Sequence, residues 1–221
     1  MQSLDSFTIQ KPRMFPVIVA ADRSGSMTES GKIQALNLAL RDFIISLKEE
    51  SNERAEIHLS IFSFGGASAT CDLPLSPVTG LQGITELPAV GATPMGDAFK
   101  QVKTLIEDIN LVPHRAYRPM LVLISDGQPN DSWEEPLNAL IRDGRSSKTF
   151  RFALAIGDDA DKTMLGRFVS APEYLMSGGN ARDIRKFFRW VSMSVTARLK
   201  SQSPDMQQLP APIPSDDTLD F

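Results

Sequence analysis

A chain of 221 residues, 42% hydrophobic and 23% charged, is long enough for one domain with a real core, or one domain with a tail. Its net charge of −4 argues against strong attraction to nucleic acid or to an anionic membrane. The single cysteine, Cys71, excludes an internal disulfide and a thiolate metal cluster. No apolar run approaches the ~18 residues of a membrane-spanning helix.

Residues 1–13 read as a short N-terminal arm, with Phe7-Thr8-Ile9 its only strand-like stretch. The arm carries Asp5 and no long apolar core, so it is not a secretory signal, and cytoplasmic residence is the expectation. The domain is expected over residues 14–200. Phe15 to Ala21 reads as a buried first strand. Helical spacing starts near Ser30, with Ile33, Leu36, Leu40, Phe43, Ile44 and Leu47 at three- and four-residue steps. Ile57 to Phe64 is a central strand, Gly65-Gly66 a turn, and Ala69 to Leu73 an antiparallel edge strand in which Cys71 serves as a small packing residue.

Thr93-Pro94 suits a helix start, with Thr as N-cap and Pro in the first turn, and the buried stripe is Ala98, Val102, Leu105, Ile106 and Ile109. Pro119 to Ser125 is a fourth strand. Ser132 with Glu135 fits a capping box for a helix running to about Arg145. Phe150 to Ile156 is a fifth strand, a short helix follows around Met164, and Tyr174 to Met176 is a sixth. The last helix buries Ile184, Phe187, Phe188, Val191, Val195 and Leu199, and its other face is basic: Arg182, Arg185, Lys186, Arg189 and Arg198. Residues 201–221 are rich in Pro, Ser, Asp and Gln without a basic residue, the composition of a disordered acidic tail. Strands alternating with helices imply an α/β, doubly wound, mostly parallel sheet with helices on both faces.

Asp22, Ser24 and Ser26 lie on the loop leaving the carboxyl end of the first strand, where open α/β sheets place their ligands. All three offer oxygen, the donor that hard cations such as Mg²⁺ and Ca²⁺ prefer. Side chains two apart on an extended loop share a side. One carboxylate and two hydroxyls are too few for a closed site, so other loops must contribute.

Asp22-Arg23-Ser24-Gly25-Ser26 resembles the D-x-S-x-S signature of von Willebrand factor A domains, which forms their metal-ion-dependent adhesion site. The family completes that site with a Thr and a second Asp from later loops. Here the matching segments are Gly91-Ala92-Thr93-Pro94-Met95-Gly96 and Ile124-Ser125-Asp126-Gly127. The resemblance therefore implies Asp22, Ser24, Ser26, Thr93 and Asp126 as ligands of Mg²⁺, with Mn²⁺ and Ca²⁺ as alternatives. It implies the strand order 3-2-1-4-5-6 and a protein partner that offers an Asp or Glu to the ion. The size and the Thr-Pro-Met-Gly segment resemble the bacterial TerY type, associated with tellurite resistance and stress operons. Operon-encoded candidates for the partner are a protein kinase and a phosphatase of the PP2C class.

Two rival readings stand beside this one. A Mg²⁺-dependent phosphotransferase or phosphatase would use Asp22 as nucleophile, but the haloacid-dehalogenase pattern wants a second Asp where Ser24 stands. A scaffold without metal dependence is the other. Gly25 to Lys32 imitates a phosphate-binding loop but has five residues rather than four before Gly-Lys, and Ile33 rather than Ser or Thr after it. His58 and His114 read as surface residues. Asp97 reads as an acid in a helix's first turn, Asp131 as a cap, and Asp158, Asp159 and Asp161 as a solvated loop.

Overall fold

The computed structural model describes residues 12–51, 55–206 and 209–212. Met1 to Lys11, including Phe7-Thr8-Ile9, lie outside the described residues. Six strands form one sheet: β1 (Arg13–Asp22), β2 (Ala55–Gly65), β3 (Ser68–Pro77), β4 (Met120–Ser125), β5 (Phe150–Ile156) and β6 (Leu175–Gly178). Their order is β3-β2-β1-β4-β5-β6, as the resemblance implies. Every neighbouring pair is parallel except β2 with β3. Five helices flank the sheet: α1 (Lys32–Glu50), α2 (Met95–Glu107), α3 (Glu134–Arg142), α4 (Lys162–Phe168) and α5 (Ala181–Lys200).

The strands read as unbroken apolar runs because both faces are covered. In β1, Val17, Val19 and Ala21 join the core formed with α1 and α5, while Ile18 and Ala20 join the core formed with α2, α3 and α4. Trp190 of α5 is fully buried and meets the edge of Phe152 at 5.0 Å. Strands β1 and β4 are neighbours whose following helices pack on opposite faces, so their two exit loops face each other at the switch point.

Several local expectations are corrected. Ile109 lies beyond the end of α2 and is 52% exposed, since α2 stops at Glu107. Cys71 is exposed. No capping box starts α3: Trp133 occupies the N-cap without a side-chain cap, and the helix ends at Arg142. Arg198 does not belong to the solvated basic face. It is fully buried, stacked over Phe15 at 4.6 Å and Phe150 at 4.3 Å.

Arg198 is inward because the chain after α5 returns to meet it. Arg198 Nε donates to the Pro204 carbonyl at 2.9 Å, and its Nη2 lies 3.1 Å from Asp205 Oδ1. Asp205 also accepts the Arg118 backbone N–H at 2.8 Å. Farther on, Leu209 is buried and the Trp190 indole N–H donates to the Pro210 carbonyl at 2.9 Å. Pro204, Asp205, Leu209 and Pro210 of the segment after α5 thus contact the domain. Residues 207–208 and 213–221 lie outside the described residues.

The C-terminal end of α2 offers a pH-dependent contact. Glu107 accepts the backbone N–H groups of Ser146 and Arg145, each at 3.0 Å, and the Lys103 ammonium at 3.2 Å. Burial alone would raise its pKa, but these hydrogen bonds outweigh burial and lower it from 4.5 to about 2. The contribution is therefore complete above pH 4.5 and lost as the pH falls through about 2. Urea denaturation across that window should show wild type losing stability more steeply than Glu107→Gln.

Candidate metal centre

Asp22 ends β1 and is fully buried. Its Oδ1 accepts the Ser24 backbone N–H at 2.8 Å, which bends the loop, and its Oδ2 accepts the Ser125 hydroxyl at 2.6 Å. The Ser24 and Ser26 hydroxyls lie 3.0 Å apart, brought together not by alternation along an extended loop but because Ser26 already lies in a 3₁₀ turn that starts at Gly25. The Ser26 hydroxyl then donates to Asp126 Oδ1 at 2.7 Å. One chain of oxygens thus joins the exits of β1 and β4.

The threonine loop is fastened to both exits by backbone groups. Gly25 N–H donates to the Gly91 carbonyl at 2.8 Å, and Val90 N–H to the Arg23 carbonyl at 2.7 Å. Gly91 is required here: its φ is 65°, and a Cβ on it would fall 2.6 Å from the Gly66 Cα. On the other side, Asn130 Oδ1 accepts the Thr93 N–H at 3.1 Å, and Asn130 N–H returns to the Thr93 carbonyl at 3.2 Å. A Cβ placed on Gly127 would stand 3.7 Å from Thr93 Oγ1 and 3.8 Å from Ser26 Oγ, so all three loops meet at Gly127. The five candidate ligands are brought to one rim.

Thr93 is not the cap of α2. Pro94 holds that position, the Met95 N–H donates to the Thr93 carbonyl at 2.8 Å, and the next two N–H groups of α2, from Gly96 and Asp97, donate to Asp131 at 2.9 Å and 3.0 Å. Asp131 is a cap, but of a helix 35 residues earlier. The Thr93 hydroxyl makes no hydrogen bond among the described residues, which leaves its oxygen available at the rim. Asp97 accepts the Ala69 N–H at 2.8 Å and ties α2 to β3. Asp161 caps α4 by accepting the Met164 N–H at 2.9 Å. Arg23 turns away from the serines and donates to Ser63 at 2.9 Å. His58 is half-buried beside Glu56, at 2.8 Å, and His114 is exposed.

The donor set suits a hard divalent cation. It contains two carboxylates and three hydroxyls and no nitrogen or sulfur. Burial pushes the Asp22 carboxyl up to about 6, against the hydrogen bonds from Ser125 and Ser24 and with a further rise from Asp126. A cation at the rim would offset that cost. Among the described residues, no group of three or more His, Cys, Asp or Glu side chains is placed to hold a metal, so a bound ion would depend on the hydroxyls. A groove of about 640 Å³ lies between α1 and α5 and is lined by none of the five.

A family model, the von Willebrand factor type A domain, matches residues 17–128, the segment from β1 through the Asp126 loop. The chain belongs to this family. No curated protein matches it. Among solved structures, the von Willebrand A fold recurs in proximal thread matrix protein 1 from the mussel byssus, described with a zinc-occupied metal-ion-dependent adhesion site motif. That protein is 16% identical at a TM-score of 0.60, over 82% of this chain and 45% of that one. The pilus adhesin SpaC from Lactobacillus rhamnosus GG is 12% identical at a TM-score of 0.69, over 86% of this chain and 31% of that one. The von Willebrand domain of the pilus tip protein Mfa5 from Porphyromonas gingivalis is 9% identical at a TM-score of 0.65, over 86% of this chain and 97% of that one. The chain spans less than half the length of the first two proteins, and at these identities the likeness is one of fold.

Three residues of this von Willebrand A domain were not singled out from the sequence. Ser125 orients Asp22, Asn130 holds the threonine loop, and Lys32 places its ammonium 2.7 Å from Asp126 Oδ2. Ser125 had a signal, a polar residue closing the apolar run Met120 to Ile124. The sequence offers Lys32 as a phosphate-loop lysine or as part of the outer face of α1, and neither reading places it on Asp126.

Proposed function

We propose that this chain is a metal-dependent protein-interaction module in which Asp22, Ser24, Ser26, Thr93 and Asp126 hold Mg²⁺. The observation that carries the reading is the fastening of three oxygen-bearing loops around Gly127 with only two carboxylates among them. When bound, the ion supplies a Lewis-acidic position open to an acid from another chain. Ser24, Ser26 and Thr93 present neutral oxygens, so the two carboxylates would balance a divalent ion and leave no excess negative charge to repel an incoming acid. Ser125 and the Ser24 N–H hold Asp22 in place, and Asn130 keeps the Thr93 hydroxyl at the rim. A partner Asp or Glu completes the coordination.

The zinc described in the byssus protein's motif supports a divalent ion of this general kind, with Mn²⁺ and Ca²⁺ as further candidates. The TerY-type resemblance supports a cytoplasmic stress-response or defence complex, with an operon-encoded kinase or PP2C-class phosphatase as partner. Among the described residues no helix is long and apolar enough to cross a membrane. We assign the module no catalytic residue. A metal-independent scaffold is the second reading, favoured by the Lys32 ammonium, which already neutralises Asp126.

The test is partner capture by wild type and Asp22→Ala, each with Mg²⁺ and with EDTA. A partner retained only by wild type in Mg²⁺ is expected. Equal retention in all four conditions would favour the scaffold.

A further inference from the structure

We propose that Lys32 is a built-in counter-ion of the rim, which competes with a divalent cation for Asp126 and moves to Glu29 when the cation binds. The inference rests on the metal-site reading above and adds to it a residue that sets affinity. Lys32 Nζ lies 2.7 Å from Asp126 Oδ2, with its side chain 13% exposed and that of Asp126 fully buried. The other oxygen, Oδ1, already accepts the Ser26 hydroxyl. Each Asp126 oxygen therefore carries one donor and keeps a lone pair free, so what opposes a cation at Oδ2 is the positive charge of the ammonium beside it. A hydroxyl can rotate and turn a lone pair to the ion, but an ammonium has only protons to offer. The repulsion between a divalent ion and an ammonium is twice that between two unit charges at the same distance.

A second position for the ammonium exists. Glu29 Oε2 is 4.0 Å from Lys32 Nζ and its side chain is 71% exposed, so it can follow the lysine outward. The backbone between them includes two consecutive left-handed residues, Ser30 at φ 52° and Gly31 at φ 70°, which turn the chain from the short 3₁₀ segment Gly25–Gly31 into α1. Lys32, the first residue of α1, thus stands between an inner and an outer carboxylate. With the inner one it keeps the two buried aspartates from facing each other uncompensated. With the outer one it leaves Asp126 to the ion. The lysine that imitates a phosphate-loop residue in sequence serves a carboxylate instead.

The experiment is calorimetric titration of MgCl₂ into the full chain as wild type, Lys32→Met, Lys32→Arg and Glu29→Gln, with melting of each in EDTA. Lys32→Met is expected to bind Mg²⁺ at least tenfold more tightly than wild type and to melt lower in EDTA. Lys32→Arg should keep the wild-type affinity, and Glu29→Gln should bind a few-fold more weakly. Lys32→Met binding no more tightly than wild type would overturn the inference while leaving the metal site standing. Absence of Mg²⁺ binding by every variant would overturn the metal-site reading itself. Lys32→Gln serves if the Met variant fails to fold.

Discussion

Asp22→Ala should abolish the stabilisation that Mg²⁺ gives the folded chain. A ligand present at a hundred times its Kd adds about 2.7 kcal/mol to the folded state. At roughly 2–4 °C per kcal/mol for a domain of this size, wild type should melt about 5–10 °C higher in saturating Mg²⁺ than in EDTA. The variant should show no difference. Asp22 is the sharpest choice because it is the fully buried carboxylate that burial pushes up to about 6, so its charge is the one that most needs a cation. Ser125→Ala removes the hydroxyl that orients Asp22 and should reduce the Mg²⁺ effect without eliminating it.

Arg198→Ala should cost about 2–5 kcal/mol in urea denaturation, the range for truncating a large, fully buried side chain to alanine. Arg198 is fully buried and its pKa is pushed down to about 10, chiefly by desolvation, with Asp205 opposing. It stacks on Phe15 and Phe150, receives the returning chain through the Pro204 carbonyl and Asp205, and leaves Nη1 without a partner among the described residues. The alanine change removes the ring contacts and unfastens residues 201–206 together. Arg198→Met keeps the apolar stem between the rings and needs no anion, so it should cost less than half as much. Asp205→Ala should fall between the two, because it leaves the guanidinium buried without its carboxylate.

The central strands and the helices between them were legible as short apolar runs and helical stripes, while the strand order came from the family resemblance. The gathering of the five residues on neighbouring loops was legible because their motifs lie at two strand exits and one helix start, in chain order. What escaped depends on partners far away in sequence. Thr93-Pro94 carries every local sign of a helix start, yet a carboxylate from Asp131 satisfies the N–H groups of α2 and frees the threonine for the rim. The stripe of Arg182, Arg185, Lys186, Arg189 and Arg198 looks uniform along α5, but Arg198 is fully buried and meets Asp205 of the returning chain. Lys32 and Asp126 are 94 residues apart, and no spacing rule connects them. The chain itself places a cation beside Asp126, the Lys32 ammonium.

The most direct measurement is a crystal structure of the full chain at saturating Mn²⁺, read by anomalous scattering. The expected result is one ion within roughly 2.0–2.4 Å of the Ser24 and Ser26 hydroxyl oxygens, with the Lys32 ammonium drawn off Asp126. An unoccupied rim with Lys32 still on Asp126 would contradict the account.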